Sequence, residues 1–123
     1  MKILLIDDSS LSRTLLKRSL GEEFTFLDAA DGMTGLELYF LEKPDLVILD
    51  LTMPGVSGLD ILARLRELDP EARVIIGTAD IQEFTRRTAA ELGAVGFLTK
   101  PFTPGNVQEA VRRAVGQNAG GAE

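Results

Sequence analysis

The sequence has no cysteine and no histidine. Without cysteine there is no disulfide framework and no thiol chemistry, and a cytoplasmic location is expected. Without histidine, every triad or metal site that needs imidazole is excluded, so a general base has to be a carboxylate, a lysine or water. Tryptophan is missing and aromatics make up only 6% of residues, which removes the usual fluorescence report on ligand binding. A basic excess is also absent: 13 Lys and Arg stand against 19 Asp and Glu, for a formal net charge of −6. A sequence-independent nucleic-acid binder would carry a basic face, so no direct nucleic-acid contact is expected. No apolar run approaches the roughly eighteen residues of a membrane helix, and no membrane insertion is expected. The opening MKILLIDDSS does not read as a signal peptide, because Asp7-Asp8 cuts its apolar stretch short.

What is present fits one domain. The chain has 123 residues, 45% of them apolar and 26% charged, enough for a core of its own and too few for two. Apolar runs and helical stripes alternate. Strands are expected at Lys2–Ile6, Phe24–Leu27, Leu46–Leu49, Val74–Ile76 and Val95–Leu98. The first is a continuous apolar run, the pattern of a strand buried on both faces. Between them, Leu11, Leu15, Leu16 and Leu20 mark a first helix, Met33, Leu36 and Phe40 a second, and Leu59, Leu62 and Leu65 a third. Ile81, Phe84, Thr88 and Leu92 mark a fourth, and Val107, Ala110, Val111, Ala114 and Val115 a fifth. Punctuation agrees. Ser9 or Ser10 can cap the first helix and Gly21 ends it; Asp31-Gly32 opens the second and Pro44 follows it; Gly93 ends the fourth. Strands alternating with helices give a parallel sheet covered on both faces. The last residues, from Gly116 to Glu123, are rich in glycine and alanine and are expected to fray, as a tail or as the start of a linker to a further domain.

Three acids and a lysine stand just past strands: Asp7 and Asp8, Asp50, and Lys100. In an open parallel sheet the carboxyl ends of strands converge on one crevice, where ligands bind. Three carboxylates at about 5 Å, with an effective dielectric near 20, repel by roughly 3 kcal/mol per pair. Lys100 offsets only part of that. A hard divalent cation would offset the rest, and Mg²⁺ is held by carboxylates together with phosphate oxygens and water. The set therefore points to metal-assisted phosphoryl chemistry. Each residue also has a plainer reading. Asp7-Asp8 can serve the dipole of the first helix, Asp50 can be a loop residue, Thr78 can close an ST-turn, and Pro54-Gly55 can be a simple turn. Phe97 alone is a core aromatic. Lys100 precedes Pro101, and an X-Pro bond can be cis; a cis bond here would aim Lys100 inward.

Asp7-Asp8, Asp50, the Pro54-Gly55 to Gly58 loop, Thr78 and Lys100-Pro101 stand in order and at fitting spacing. That set resembles the CheY-like receiver domain of two-component response regulators, over about Lys2 to Gly116. The resemblance implies a flavodoxin-like sheet of order 2-1-3-4-5, with residues 1–116 as the receiver and 117–123 as a flexible tail. It implies that Asp50 accepts a phosphoryl group from a phosphohistidine on a sensor histidine kinase or phosphotransfer protein. Asp8, Asp50 and the backbone carbonyl of Thr52 would ligate Mg²⁺, with Asp7 acting through water. Lys100 would pair with Asp50 and then with a phosphoryl oxygen. Thr78 would move toward that group, and Phe97 would turn into the space left. The fourth helix, fifth strand and fifth helix would then present a changed face to a target protein, in chemotaxis or another pathway. The domain would assist its own phosphoryl transfer and dephosphorylation without being an enzyme in the usual sense.

Two positions bear on how this would work. Phe97 lacks the hydroxyl of the tyrosine common at that place, so its outward rotamer is expected to be less favoured. Thr52 and Asp80 would flank the path of attacking water, and an acidic Asp80 would orient or repel it. Other functions fit less well. A Mg²⁺-dependent aspartyl-phosphate hydrolase usually has a second Asp two residues after its nucleophile, where this chain has Ser9 and Ser10. A flavin carrier would want a Ser-, Thr- and Gly-rich phosphate loop after the first strand, where acids would repel the phosphate.

Overall fold

The computed structural model describes residues 1–80 and 82–120, with side chains through residue 116. Five strands and five helices alternate along the chain: β1 (Lys2–Ile6), α1 (Ser10–Leu20), β2 (Thr25–Ala29), α2 (Gly32–Glu42), β3 (Leu46–Leu49), α3 (Gly58–Leu68), β4 (Val74–Thr78), α4 (Glu83–Glu91), β5 (Gly96–Thr99) and α5 (Pro104–Gly120). The strands form one parallel sheet of order β2-β1-β3-β4-β5, as expected. β1 and β3 have the expected ends. β2 reaches on to Ala29, β4 continues through Gly77 and Thr78, and β5 lies one residue later than expected. α5 runs past Gly116 to Gly120, and residues 121–123 of the expected tail lie outside the described residues.

The sheet divides its side chains between two cores, because successive residues of a strand point to opposite faces. Leu4 and Ile6 of β1 join Val47, Leu49, Val74 and Ile76 under α2, α3 and α4. Ile3 and Leu5 join Leu46, Ile48 and Ile75 under α1 and α5, where Leu16, Leu20, Val107, Val111 and Ala114 meet them. Helix ends follow their sequence. Ser9 Oγ accepts from Ser12 N at 3.1 Å to cap α1, and Asp31 Oδ1 accepts from Thr34 N at 2.8 Å to cap α2. Gly21 closes α1 at φ 86°, a left-handed value that glycine takes without a steric penalty.

Three helix faces differ from the expected stripes. On α1, Leu16 and Leu20 are buried and Leu15 is half-buried, but Leu11 is exposed. On α2, Met33 and Phe40 face out, and the inward face is Gly32, Gly35 and Tyr39. A Cβ on Gly35 would stand 2.4 Å from Ile6 Cδ1, so the small residue lets the helix close onto β1. On α4, Phe84 is 75% exposed, and Thr85 and Ala89 are buried instead; Ile81 lies outside the described residues. Both helices bury small side chains, Gly35 on α2 and Ala89 on α4, which a search for large apolar residues overlooks.

Candidate functional site

Strand register builds the site. Ile6 pairs with Ala29 on one side and Leu49 on the other, and Thr78 pairs with Thr99. One residue beyond these positions come Asp7, Asp50 and Lys100. The backbone holds them there: Asp7 N donates to Ala29 O at 3.0 Å, Asp50 N to Ile6 O at 2.9 Å, and Lys100 N to Thr78 O at 2.9 Å. β3 leads into Asp50, and α3 starts close behind it. A Cβ on Gly58 would lie 2.4 Å from Leu51 Cα and 2.7 Å from Asp50 O. That backbone cannot yield as a side chain can, so glycine is what allows α3 to begin against the loop.

Four charged side chains converge. Asp7 and Asp50 are each 2% exposed, whereas Asp8 faces solvent. One carboxylate oxygen from each of the three lies within 4.8 Å of the other two. Lys100 Nζ sits 3.0 Å from Asp7 Oδ2 and 3.2 Å from Asp50 Oδ2. Asp7 Oδ1 accepts from Ser9 N at 2.9 Å. Asp50 Oδ1 accepts from both Thr52 N and Thr52 Oγ1 at 3.1 Å. The Lys100–Pro101 peptide bond is cis.

Electrostatics in this crevice are opposed. Burial pushes the Asp7 carboxyl above its usual range, and the Ser9 N–H and the Lys100 ammonium pull against it; the Asp50 charge adds to the rise. Burial disfavours the Lys100 charge, but the carboxylates of Asp7 and Asp50 outweigh that and hold its pKa above the ordinary lysine value. With all four groups ionised, one ammonium against three carboxylates leaves two negative charges. A dication matches that excess. The donors are all oxygen and one of the acids opens to solvent, a set that suits a hard ion with water still attached.

Thr78 is fully buried at the end of β4, and its Oγ1 accepts from Asp80 N at 3.2 Å. The Asp80 carboxylate turns to α4: Oδ1 accepts from Gln82 N at 3.0 Å and Oδ2 from Thr85 Oγ1 at 3.0 Å. Both oxygens are therefore engaged by the start of the helix. Phe97 lies away from the acids, half-buried on β5, with the Arg86 guanidinium 4.6 Å above its ring centroid. Pro101 is exposed and Phe102 beside it is buried. Sequence reasoning overlooked two arginines. Arg86 covers Phe97, and Arg13 on α1 reaches the main-chain carbonyl of Asp7. Each stands near other cations on its helix, Arg86 beside Arg87 and Arg13 ahead of Lys17 and Arg18, and looks like a solvated residue.

The comparisons with known proteins agree with this geometry. The family model described as the response regulator receiver domain matches residues 3–112. The chemotaxis protein CheY of Halobacterium salinarum is 38% identical over 111 residues, covering 89% of this chain and 92% of that protein. Sporulation initiation phosphotransferase F of Bacillus subtilis is 37% identical over 113 residues, with 91% of each chain covered. The solved signal receiver domain of the putative response regulator NarL from Mycobacterium tuberculosis superposes with a TM-score of 0.83 at 31% identity, covering 94% of this chain and 96% of that one. The crevice at the strand ends and the matched sequence define the same class. This chain belongs to the response regulator receiver domain family, and its role is that of a phosphoacceptor receiver in two-component signalling.

Proposed function

We propose that Asp50 is the phosphoacceptor and that Mg²⁺ is held beside it by Asp7, Asp8, Asp50 and the backbone carbonyl of Thr52. The observation that carries this reading is Lys100 Nζ, bonded to Asp7 and Asp50 together within a cluster of three carboxylates. A carboxylate oxygen of Asp50 attacks phosphorus while the N–P bond of a partner's phosphohistidine breaks. An acyl phosphate forms on Asp50, and the departing imidazole nitrogen takes up a proton. Such a transfer has a loose, in-line transition state, so positioning and charge stabilisation are the main demands on the protein. When bound, Mg²⁺ supplies positive charge to the phosphoryl oxygens. Lys100 supplies a second, local cation, exchanging its Asp50 contact for a phosphoryl oxygen. The acyl phosphate is lost in a separate step, in which water attacks phosphorus, the bond to the Asp50 oxygen breaks, and the carboxylate and inorganic phosphate are released.

Modification replaces a carboxylate by a group with more negative charge and more acceptor oxygens. Thr78 and Lys100 then have a partner that exists only in the modified state, which is the differential contact a two-state shift requires. Movement of the Thr78 hydroxyl toward that group draws on its present contact with the Asp80 N–H, from which it accepts. Asp80 also holds Gln82 N and Thr85 Oγ1, so the shift passes into α4. Phe97 then turns into the volume Thr78 gives up. The α4-β5-α5 face is where a target protein docks in this reading. Relatives named for chemotaxis and for sporulation phosphotransfer stand at nearly equal identity, 38% and 37%, so the output depends on which target fits that face. The receiver unit spans residues 1–116, with α5 running on to Gly120, and its place is the cytoplasm, where phosphohistidine donors and Mg²⁺ are both at hand. No helix among the described residues is long and apolar enough to cross a membrane.

The test is intact mass after treatment with acetyl phosphate, with and without Mg²⁺. Wild type should gain one phosphoryl group only with Mg²⁺, and folded Asp50→Asn should gain none. Undiminished incorporation in the variant would move the acceptor to another residue.

A further inference from the structure

We propose that Arg13 is a positioning residue for the cation site, fixing the Asp7–Asp8 peptide so that the Asp8 carboxylate faces the ion. The inference rests on the Mg²⁺ reading above. Arg13 lies in the first turns of α1, its side chain only 17% exposed. Its Nε donates to Asp28 Oδ2 at 2.9 Å, and its Nη1 donates to the Asp7 carbonyl oxygen. Asp28 is on β2 and also takes Lys17 Nζ at 2.7 Å on its other oxygen. The carboxylate is therefore shared by two cations and held at the edge of the sheet, where it aims the guanidinium.

The consequence falls on Asp8. Asp7 is anchored at its N–H by Ala29 O, at its carboxylate by Ser9 N and Lys100, and at its carbonyl by Arg13. That carbonyl belongs to the planar peptide that ends at the Asp8 nitrogen. Fixing it leaves only the torsions of Asp8 itself to aim the side chain. The Asp8 carboxylate needs this help, since it is exposed and makes no hydrogen bond or ion pair with any described residue. Its place in the cluster with Asp7 and Asp50 comes from the backbone.

Two effects of opposite sign compete at Arg13. A cation near the site repels Mg²⁺, so its loss alone would tighten binding. Its loss as an anchor would weaken binding. The geometry points to the second, because Asp28 offsets part of the positive charge of Arg13 and Lys17 and the Nη1 bond goes to a carbonyl rather than to a carboxylate. Loss of partners that orient metal ligands typically lowers metal affinity by about 10- to 100-fold, and the lower end suits a ligand that keeps its own oxygen.

The experiment is a Mg²⁺ titration of the unphosphorylated protein followed by backbone amide shifts, in wild type, Arg13→Ala, Arg13→Lys and Asp28→Asn. Arg13→Ala should bind about tenfold more weakly. Arg13→Lys keeps the charge but not the two-headed geometry and should also bind more weakly; it decides the matter should the alanine variant not fold. Asp28→Asn should shift in the same direction by less. Equal or tighter binding in the folded Arg13 variants, with wild type binding normally, overturns this inference alone. Absence of binding in wild type overturns the Mg²⁺ reading and takes this inference with it.

Discussion

The guanidinium of Arg86 lies 4.6 Å above the centroid of the Phe97 ring. Phenylalanine offers no hydroxyl for a hydrogen bond at the surface, and the cation of α4 supplies the missing partner. An exposed cation–π contact contributes about 0.5–1 kcal/mol, enough to bias a rotamer without locking it. Arg86→Ala should therefore raise the inward-turned fraction of Phe97 in the unphosphorylated protein by roughly two- to fivefold, the Boltzmann equivalent of that contact. Side-chain couplings of Phe97, measured with and without beryllofluoride, give the two populations. An unchanged rotamer distribution in Arg86→Ala would mean that packing of the ring against the core decides its position.

How far the sequence speaks for itself depends on what kind of residue carries the signal. The strand ends were readable because a parallel strand buried on both faces is a continuous apolar run, and in this chain Ile6 and Leu49 run straight into Asp7 and Asp50. Topology then sufficed to gather acids that lie 43 positions apart in sequence. β4 outruns its expected end at Ile76, and the next residue is Gly77. It stays in the strand because the Phe102 ring fills its side, with Phe102 Cζ 3.0 Å from where a Cβ would be. Helices α2 and α4 were rotated for a related reason, since Gly35 and Ala89 mark close approach to the sheet and carry little hydrophobicity. Arg13 was invisible because its partner at the site is a main-chain carbonyl, which leaves no trace in residue type. The bonds from Gln82 N and Thr85 Oγ1 to the Asp80 carboxylate likewise leave no mark in residue type.

Tyr39 offers a pH-dependent test of the packing under the sheet. Its hydroxyl donates to Asp69 Oδ2 at 2.7 Å, tying α2 to the end of α3. Burial pushes the phenol well above its usual pKa of 10.0, and the hydrogen bond to the Asp69 carboxylate adds to the rise. A folded-state pKa above the unfolded one stabilises the fold below the unfolded value, and that stability is lost as pH rises through the folded value. A hydrogen bond to a charged group contributes about 1.5–3 kcal/mol, so Tyr39→Phe should lose about that much at neutral pH. The gap between wild type and variant should hold steady up to about pH 10 and shrink above it. Lys100 loses its own contribution in the same alkaline range, but it does so in both proteins and cancels in the difference. Urea midpoints across this range measure the gap; one that widens with alkali would show that the phenol is not the protonated donor.

Lys100 balances charge in the unmodified protein, and its proposed part in transfer is separable from that. Its side chain is 19% exposed, and its ammonium offsets part of the repulsion between Asp7 and Asp50. Removing one partner of a buried ion pair costs about 3–5 kcal/mol, and partial exposure here sets the expected loss in Lys100→Met at the lower end of that range. The three carboxylates left behind attract a dication more strongly than before. Mg²⁺ should then stabilise the variant by more than it stabilises wild type, since a ligand that binds only the native state adds stability in proportion to its occupancy and affinity. Denaturant unfolding of both proteins at matched Mg²⁺ concentrations gives the two increments. A larger increment in Lys100→Met, together with phosphoryl incorporation that no longer changes affinity for a target protein, would separate charge balance from signalling at this residue. Equal increments would mean that the ammonium and the cation do not compete for Asp7 and Asp50. Mg²⁺ would then have to sit on the solvent side of the cluster, against Asp8, with the Lys100 contacts intact.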